Sequence, residues 1–76
     1  MDLKDEIRET AANMLETETE ELGYDDPFAE HDMDSFTAMQ LVAMLESEYD
    51  ISILDDRLAE LTSVSETARV VEELMK

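Results

Sequence analysis

One stretch decides how this chain folds, and it reads Asp32-Met33-Asp34-Ser35-Phe36-Thr37-Ala38-Met39-Gln40-Leu41-Val42. A polar segment ends here, and an apolar pattern with helical spacing begins. Asp34 is a good N-cap because its carboxylate can accept the free amide hydrogens of a first helical turn. The pattern therefore predicts a helix that begins at Ser35 and presents this serine at its exposed end.

Ser35 lacks the surroundings of a self-activated nucleophile. It has no glycine-rich elbow, and the only histidine, His31, has no third group to orient it as a base. A histidine in a loop is more often a solvent-exposed side chain than a base. Because the hydroxyl is better placed to be modified by another enzyme, we expect a non-catalytic protein.

The rest of the chain predicts an all-α fold, because apolar residues recur at three- and four-residue spacing. The predicted helices cover residues 2–17, 35–48, 55–61 and 64–75. Asp2 and Asp55 are the expected caps of the first and third helices. Ser63 and Glu66 form an expected capping box at the start of the fourth.

The second helix is predicted to have two apolar sides. Its inward stripe consists of Ala38, Leu41, Val42, Leu45 and Tyr49. Phe36, Met39 and Ala43 lie on a different side, where methionine suits a surface that must fit several partners. Ordinary core packing is the alternative for this second set, and the spacing alone leaves both open.

Two connections are expected to pack against the helices. Residues 18–33 form a connection that is long for so small a domain. Such loops usually pack against the core or have a function. Three of its side chains are expected to pin it to the core: Leu22, Tyr24 and Phe28. Residues 51–53, Ile-Ser-Ile, alternate like a strand but have no partner strand. We interpret them as an extended connector that inserts two isoleucines into the bundle.

Composition narrows the choice of partners. Twenty-two acidic residues face five lysines or arginines, which gives a net charge of −17. Such a surface repels nucleic acid and anionic membranes, whereas basic patches on other proteins are suitable partners. The alternative is that the charge merely keeps a small protein in solution. Since the chain has no cysteine, any thiol chemistry must come from an attached group.

Membrane insertion and secretion are not expected. The longest apolar run, residues 41–45, is too short to cross a bilayer. The amino-terminal residues lack the basic region and apolar core of a secretory signal, which predicts a cytoplasmic protein.

The segment around Ser35 resembles the phosphopantetheine attachment site of acyl and peptidyl carrier proteins, whose signature is Asp-Ser followed by an apolar residue. Residues 41–53 look like that family's second helix and its exit, and residues 61–64 resemble its entry to the fourth helix. Two departures are the absence of glycine at Asp32 and Met33 and the replacement of leucine or isoleucine by Phe36. The resemblance covers nearly the whole chain. It implies one domain, residues 1–76, folded as a four-helix carrier-protein bundle with a long loop between helices 1 and 2 and a short third helix.

This resemblance implies a function. A phosphopantetheinyl transferase would attach 4′-phosphopantetheine to Ser35, next to Asp34. The chain would hold acyl or aminoacyl groups as thioesters and pass them between loading and processing enzymes that carry basic patches. The expected partner-binding residues are Phe36, Met39, Ala43, Glu46 and Glu48. We expect the protein to be a monomer.

Two other functions compete with the carrier hypothesis. The first is an acidic helical adaptor that has no prosthetic group and binds partners through the second helix. The second is a calcium-binding domain, because Asp32 and Asp34 begin an Asp-x-Asp pattern. A calcium loop requires glycine at its sixth position and glutamate at its twelfth, which are Thr37 and Ala43 here. No metal site is therefore predicted.

The sequence leaves the cargo open. Residues 38–43 look like the second helix of peptidyl and aminoacyl carriers. The acidic run and the Ile-x-Ile that follow look like fatty-acid and polyketide carriers, and D-alanyl carriers are a third set of relatives. This mixture favours a carrier of a specialised pathway.

Overall fold

The structure, a computed structural model, describes residues 2–76 as four α-helices joined by structured loops, with no strand in that range. The helices are α1 (Leu3–Met14), α2 (Ser35–Tyr49), α3 (Asp55–Leu58) and α4 (Val64–Met75). α1 packs against α2 and α4, and α2 also packs against α4. The predicted all-α fold is confirmed. Between residues 2 and 76, no helix has both the length and the apolar character that crossing a membrane requires.

α1 ends at Met14, whereas the apolar spacing predicted that it would continue to residue 17. Glu16 adopts a left-handed conformation with a φ of 56°. The amides of Glu16 and Thr17 then donate to the carbonyls of Asn13 and Ala12. This pair of bonds is a Schellman motif, which usually has glycine at the left-handed position. Because glutamate stands there instead, no residue type in the sequence marks the end of the helix.

The predicted cap of α3 is wrong, and that of α1 is confirmed only in its position. Asp2 stands at the N-cap of α1, but its side chain makes no capping hydrogen bond. α3 is preceded by Leu54, so Asp55 is its first helical residue and not its cap. α3 also ends at Leu58 instead of residue 61, and irregular turns continue the chain from there to α4.

The capping box of α4 is half formed. The Ser63 hydroxyl accepts the amide hydrogen of Glu66 at 3.2 Å, as expected. The Glu66 carboxylate pairs with Arg69 instead of returning to the backbone of Ser63. The predicted start of α4 is therefore confirmed, while its acidic partner is used elsewhere.

The core lies among α1, α2 and α4. In α2, Leu41, Val42 and Leu45 are buried as predicted, and Ala38 and Tyr49 are half-buried. The connector contributes Ile53, which is buried, and Ile51, which packs against the core at partial exposure. α1 and α4 contribute further buried residues, among them Ala12, Thr67 and Val70.

The long connection between α1 and α2 is structured, and it contains two short 3-10 turns, Thr19–Glu21 and Phe28–His31. Leu22 and Phe28 are buried and Tyr24 packs against the core, so the predicted pinning is confirmed. The amide of Phe28 donates to the carbonyl of Thr62 at 2.8 Å. This bond holds the loop against the link between α3 and α4.

Asp26 organises the middle of this connection. Its carboxylate accepts the amide hydrogen of Gly23 at 2.9 Å, and His31 Nε2 lies 3.2 Å from the same oxygen. The Gly23 amide, and then His31, hold the pKa of Asp26 below its usual range. A Cβ at Gly23 would lie 2.8 Å from the other Asp26 oxygen, so a larger residue there would force the Asp26 carboxylate to move. His31 is half-buried in this arrangement, whereas the sequence suggested an exposed residue.

Like charges crowd this small body. Glu6, Glu9 and Glu48 line one shallow cleft between α1 and α2. Four of the five basic residues are held near other side chains: Lys4 and Arg8 lie over the Tyr24 ring, and Arg57 and Arg69 form ion pairs. The remaining carboxylates repel one another without nearby compensation, which destabilises the compact state.

Salt and divalent cations are therefore expected to raise the melting temperature. Each kcal/mol of relieved repulsion should add about 4–8 °C in a domain of this size. Since residues 2–76 contain no cluster of three or more potential metal ligands, magnesium and calcium should act alike and at millimolar concentrations. Thermal unfolding in titrations of sodium, magnesium and calcium chlorides measures this. A steep preference for micromolar calcium would show a specific site and contradict the expectation.

Candidate functional site

The site is built around the first turn of α2. Asp34 precedes the helix in extended conformation, and its Oδ1 accepts the amide hydrogen of Thr37 at 2.8 Å. The Asp34 carbonyl accepts from the amide of Ala38 at 3.0 Å, which is the first intrahelical bond. Ser35 is therefore the first helical residue, and it is exposed. The predicted N-cap and the predicted position of Ser35 are both confirmed.

Two electrostatic effects meet at this helix end. The Thr37 amide, as the largest cause, holds the pKa of Asp34 below its usual range. The carboxylate therefore stabilises the fold above its ordinary unfolded pKa, and this contribution is lost as the pH falls through the lowered value. The free amides and the dipole of α2 also favour negative charge at its amino terminus. A phosphate ester on Ser35 would occupy a place that suits an anion.

An open cleft of about 330 Å³ adjoins Ser35. Its walls are mainly apolar and come from three parts of the chain, namely the second 3-10 turn, the start of α2 and the link between α3 and α4. The lining residues are Pro27, Phe28, Ala29, Met33, Asp34, Ser35, Ala38, Leu61 and Thr62. The sequence did not suggest Leu61 and Thr62 as neighbours of Ser35, because contacts between distant residues bring them there, among them the bond from Phe28 to Thr62.

The side of α2 that carries Ser35 exposes apolar side chains to solvent. Phe36 is 71% exposed and Met39 is 56% exposed, and Ala43 is also exposed. Core packing, which the sequence left open for Phe36 and Met39, is therefore wrong. An exposed aromatic residue next to Ser35 is an unusual placement that offers a partner a large contact area.

The structure separates the two predicted acidic partner residues. Glu46 lies on the same side of α2 as Ala43, but its Oε2 accepts the amide hydrogen of Ile53 at 2.7 Å. Glu48 follows Ala43 by five residues, which is about 140° around an α-helix. It faces α1 together with Glu6. Of the predicted partner residues, Phe36, Met39 and Ala43 are exposed on the side of α2 that carries Ser35.

The chain is similar to known proteins in sequence and in structure. Residues 5–71 match the family model described as the phosphopantetheine attachment site. Over 65 residues, the chain is 32% identical to "Polyketide-8 synthase acyl carrier protein 2" of Streptomyces avermitilis. This alignment covers 84% of the chain and 75% of that relative.

Among solved structures, the chain is similar to the HMG-ACPI domain of the CurA module from Lyngbya majuscula, determined by NMR. The TM-score is 0.82 at 19% sequence identity, and the match covers 96% of the chain and 75% of that domain's chain. At this identity the likeness supports the fold alone. It agrees with the all-α arrangement described above.

Proposed function

This chain belongs to the phosphopantetheine attachment-site family, and we propose from that premise that Ser35 is the residue to which its prosthetic group is attached. The chain is a phosphopantetheine-bearing carrier, and its role is to hold cargo and not to catalyse. The observation that carries the assignment is the exposure of Ser35 at the capped start of α2. An acidic adaptor without a prosthetic group is disfavoured by the family match.

The residues around Ser35 fit this group. The amino terminus of α2 suits the anionic phosphodiester, and the apolar cleft beside it can contact the nonpolar parts of a flexible arm. The arm supplies a thiol, which this chain lacks, and the thiol holds cargo as a thioester. The small helical body positions the point of attachment, while the arm reaches into the active sites of other enzymes.

The attachment reaction uses the Ser35 hydroxyl as the acceptor. Its oxygen attacks the phosphorus of coenzyme A that bears the pantetheine, and a phosphodiester forms. The hydroxyl proton passes to a base of the transferase, and adenosine 3′,5′-bisphosphate leaves. This chain contributes the exposed hydroxyl and the fixed backbone of the capped turn. The transferase contributes the base and the metal-assisted chemistry.

Partner enzymes are proposed to bind around Ser35. Phe36, Met39 and Ala43 supply apolar contact on the exposed side of α2. Glu46 and Glu48 add to the negative field, which steers enzymes with basic patches toward the carrier. The net charge of −17 supports this kind of partner and a monomeric state. We also propose that the chain is a single domain that acts in the cytoplasm.

Charge reversal at the two glutamates should have different effects on stability. Glu48→Lys should slow loading by a partner enzyme through weaker steering and leave stability unchanged or higher, since it relieves repulsion from Glu6. Glu46→Lys should slow loading too, but it should also cost about 1–3 kcal/mol because it leaves the buried amide of Ile53 without its acceptor. Denaturation curves and loading rates per folded molecule measure both effects.

Glu46→Gln is the matched control, because its amide oxygen can still accept from Ile53 while the charge is removed. It should recover most of the stability lost in Glu46→Lys. Loading rates for wild type and for the glutamate variants should converge at high salt, where charges are screened over about 3 Å at 1 M. Rates that differ equally at low and high salt would argue against steering by these residues.

An acyl cargo is proposed over an aminoacyl cargo. The support is the 32% identity to a carrier protein of polyketide synthesis, together with the acidic run near the end of α2, residues 46–48. An acyltransferase supplied with malonyl-coenzyme A should load the modified chain faster than an adenylating enzyme supplied with amino acids. Faster aminoacyl loading across several enzymes would overturn this choice of cargo.

Carriage as a thioester can be tested directly. The unmodified chain is incubated with a broad-specificity transferase, magnesium and acetyl-coenzyme A, and its intact mass is then measured. We expect the mass of one acetylated prosthetic group, and neutral hydroxylamine should remove only the acetyl group because thioesters are cleaved by this nucleophile. An adduct that resists hydroxylamine would contradict thioester carriage, whereas no adduct would contradict modification itself.

A further inference from the structure

A cluster of ion pairs joins α3 to α4. Arg57 on α3 reaches Glu60 at 2.6 Å and Glu73 on α4 at 2.5 Å. Arg69 on α4 reaches Glu60, Glu66 and Glu73 at 2.9–3.1 Å. The cluster contains every ion pair between residues 2 and 76 apart from that of His31 with Asp26. We call the five residues of these ion pairs the α3–α4 cluster: Arg57, Glu60, Glu66, Arg69 and Glu73.

Little else holds α3 in place. The helix is four residues long, and none of its residues is buried. Leu58 and the following Leu61 are only partly buried against the core. A single turn is too short to be stable through its own hydrogen bonds. Segments with few buried apolar contacts open locally at a small fraction of the free energy of global unfolding.

α3 also covers part of the surface next to the attachment site. Leu58 and Leu61 form one wall of a small apolar pocket of about 60 Å³. The opposite wall belongs to α2 and includes Ala38 and Met39, both about one helical turn after Ser35. Leu61 lines the larger cleft at Ser35 as well. Any movement of α3 therefore changes both spaces.

We propose that α3 is a lid over this apolar pocket and that the α3–α4 cluster, more than burial, holds the lid closed. Arg57 is the positioning residue, because it alone connects the helix itself to α4 through Glu73. Arg69 supports the closed position by binding Glu60 at the end of α3 and Glu73 at once. The importance of the lid for a prosthetic arm rests on the proposed role of Ser35. The lid itself belongs to the unmodified chain and can be measured there.

The proposal predicts opposite effects of salt in two parts of one small protein. Screening of the net charge should stabilise the whole domain, as stated above. The same screening weakens exposed ion pairs, so it should release α3. In about 1 M sodium chloride, the amides of α3 and its exit should exchange faster while those of α1 exchange more slowly. A domain held together uniformly would show the same direction of change throughout.

The decisive experiment is amide hydrogen exchange by NMR on the unmodified chain, comparing Glu60 and Leu61 with buried residues such as Ala11 and Leu45. Arg57→Gln and Glu73→Gln should each speed exchange at Glu60 and Leu61 about five-fold, the effect of losing one good exposed pair. The double variant should add little to either single variant because both remove the same link. Exchange at Ala11 and Leu45 should change far less.

The two substitutions distinguish an effect of the α3–α4 cluster on α3 from an effect of net charge. Arg57→Gln changes the net charge from −17 to −18, while Glu73→Gln changes it from −17 to −16. Lys76→Gln and Glu72→Gln are the matched controls, since they make the same changes at positions with no ion pair among residues 2–76. Both controls should leave exchange in α3 at the wild-type rate.

Three results would contradict the proposal that α3 is a lid held closed by the α3–α4 cluster. Exchange at Glu60 and Leu61 could follow net charge, with Arg57→Gln and Glu73→Gln acting in opposite directions. It could stay at the wild-type rate in both variants, which would leave burial as the force that holds α3. It could also match the rates of Ala11 and Leu45, in which case α3 opens only when the domain unfolds. Failure to attach a prosthetic group to Ser35 would leave these exchange results unchanged.

Discussion

Leu45→Ala is expected to destabilise the domain by about 2–5 kcal/mol, as truncation of other buried leucines does. Leu45 is fully buried at the centre of the face that α2 turns toward the core. Small domains have a total stability near the low end of about 5–15 kcal/mol, so this change can unfold much of the population at ambient temperature. Urea denaturation followed by circular dichroism measures it, with added salt to keep the variant folded if necessary.

Met39→Ala and Phe36→Ala are the matched variants on the opposite side of the same helix. Because both side chains are more than half exposed, each substitution should cost much less stability than Leu45→Ala. Both should instead slow loading per folded molecule, and Phe36→Ala should do so more strongly because the ring offers the larger contact area. The assignment of the two sides would be wrong if these variants unfolded like Leu45→Ala and still loaded at the wild-type rate.

Ser35→Ala is expected to abolish attachment of the prosthetic group completely, because the methyl side chain of alanine offers no oxygen for the phosphodiester. Stability should change little, since Ser35 is exposed and the cap of α2 is supplied by Asp34. Intact mass after incubation with coenzyme A, magnesium and a transferase measures the effect. Circular dichroism confirms that the variant has kept its helices.

Ser47→Ala is the control for this substitution. Ser47 is also an exposed serine of α2, but it lies near the other end of the helix, far from the capped turn. This variant should be modified at the wild-type rate. Modification that persisted in Ser35→Ala, or that was lost in Ser47→Ala, would place the attachment point elsewhere.

The parts of the fold that sequence could predict are those set by local chemistry. Helical spacing placed Leu41, Val42 and Leu45 in the core, because a period of 3.6 residues leaves one apolar face. The short polar side chain of Asp34 next to an apolar pattern marked the start of α2, and the bond to Thr37 bears it out. The position of Ser35 followed from these two local signals.

Other features depend on contacts between distant residues. The Schellman turn at Glu16 ends α1 earlier than predicted. Its left-handed position holds glutamate and not the usual glycine, so the residue type did not indicate the turn. From the sequence, the Glu46 carboxylate was expected to be a surface charge. In the structure it accepts a hydrogen bond from the amide of Ile53, which the chain after α2 places beside it. The cleft beside Ser35 needs the bond between Phe28 and Thr62, which no local pattern encodes.

Tandem mass spectrometry on the modified wild-type chain can identify the serine that carries the prosthetic group. The chain is treated with a transferase, coenzyme A and magnesium, digested, and fragmented so that the modified serine is identified. We expect one phosphopantetheine group per chain, attached to Ser35 in every modified molecule. Attachment at a different serine, or an unmodified chain after treatment with several transferases, would contradict it.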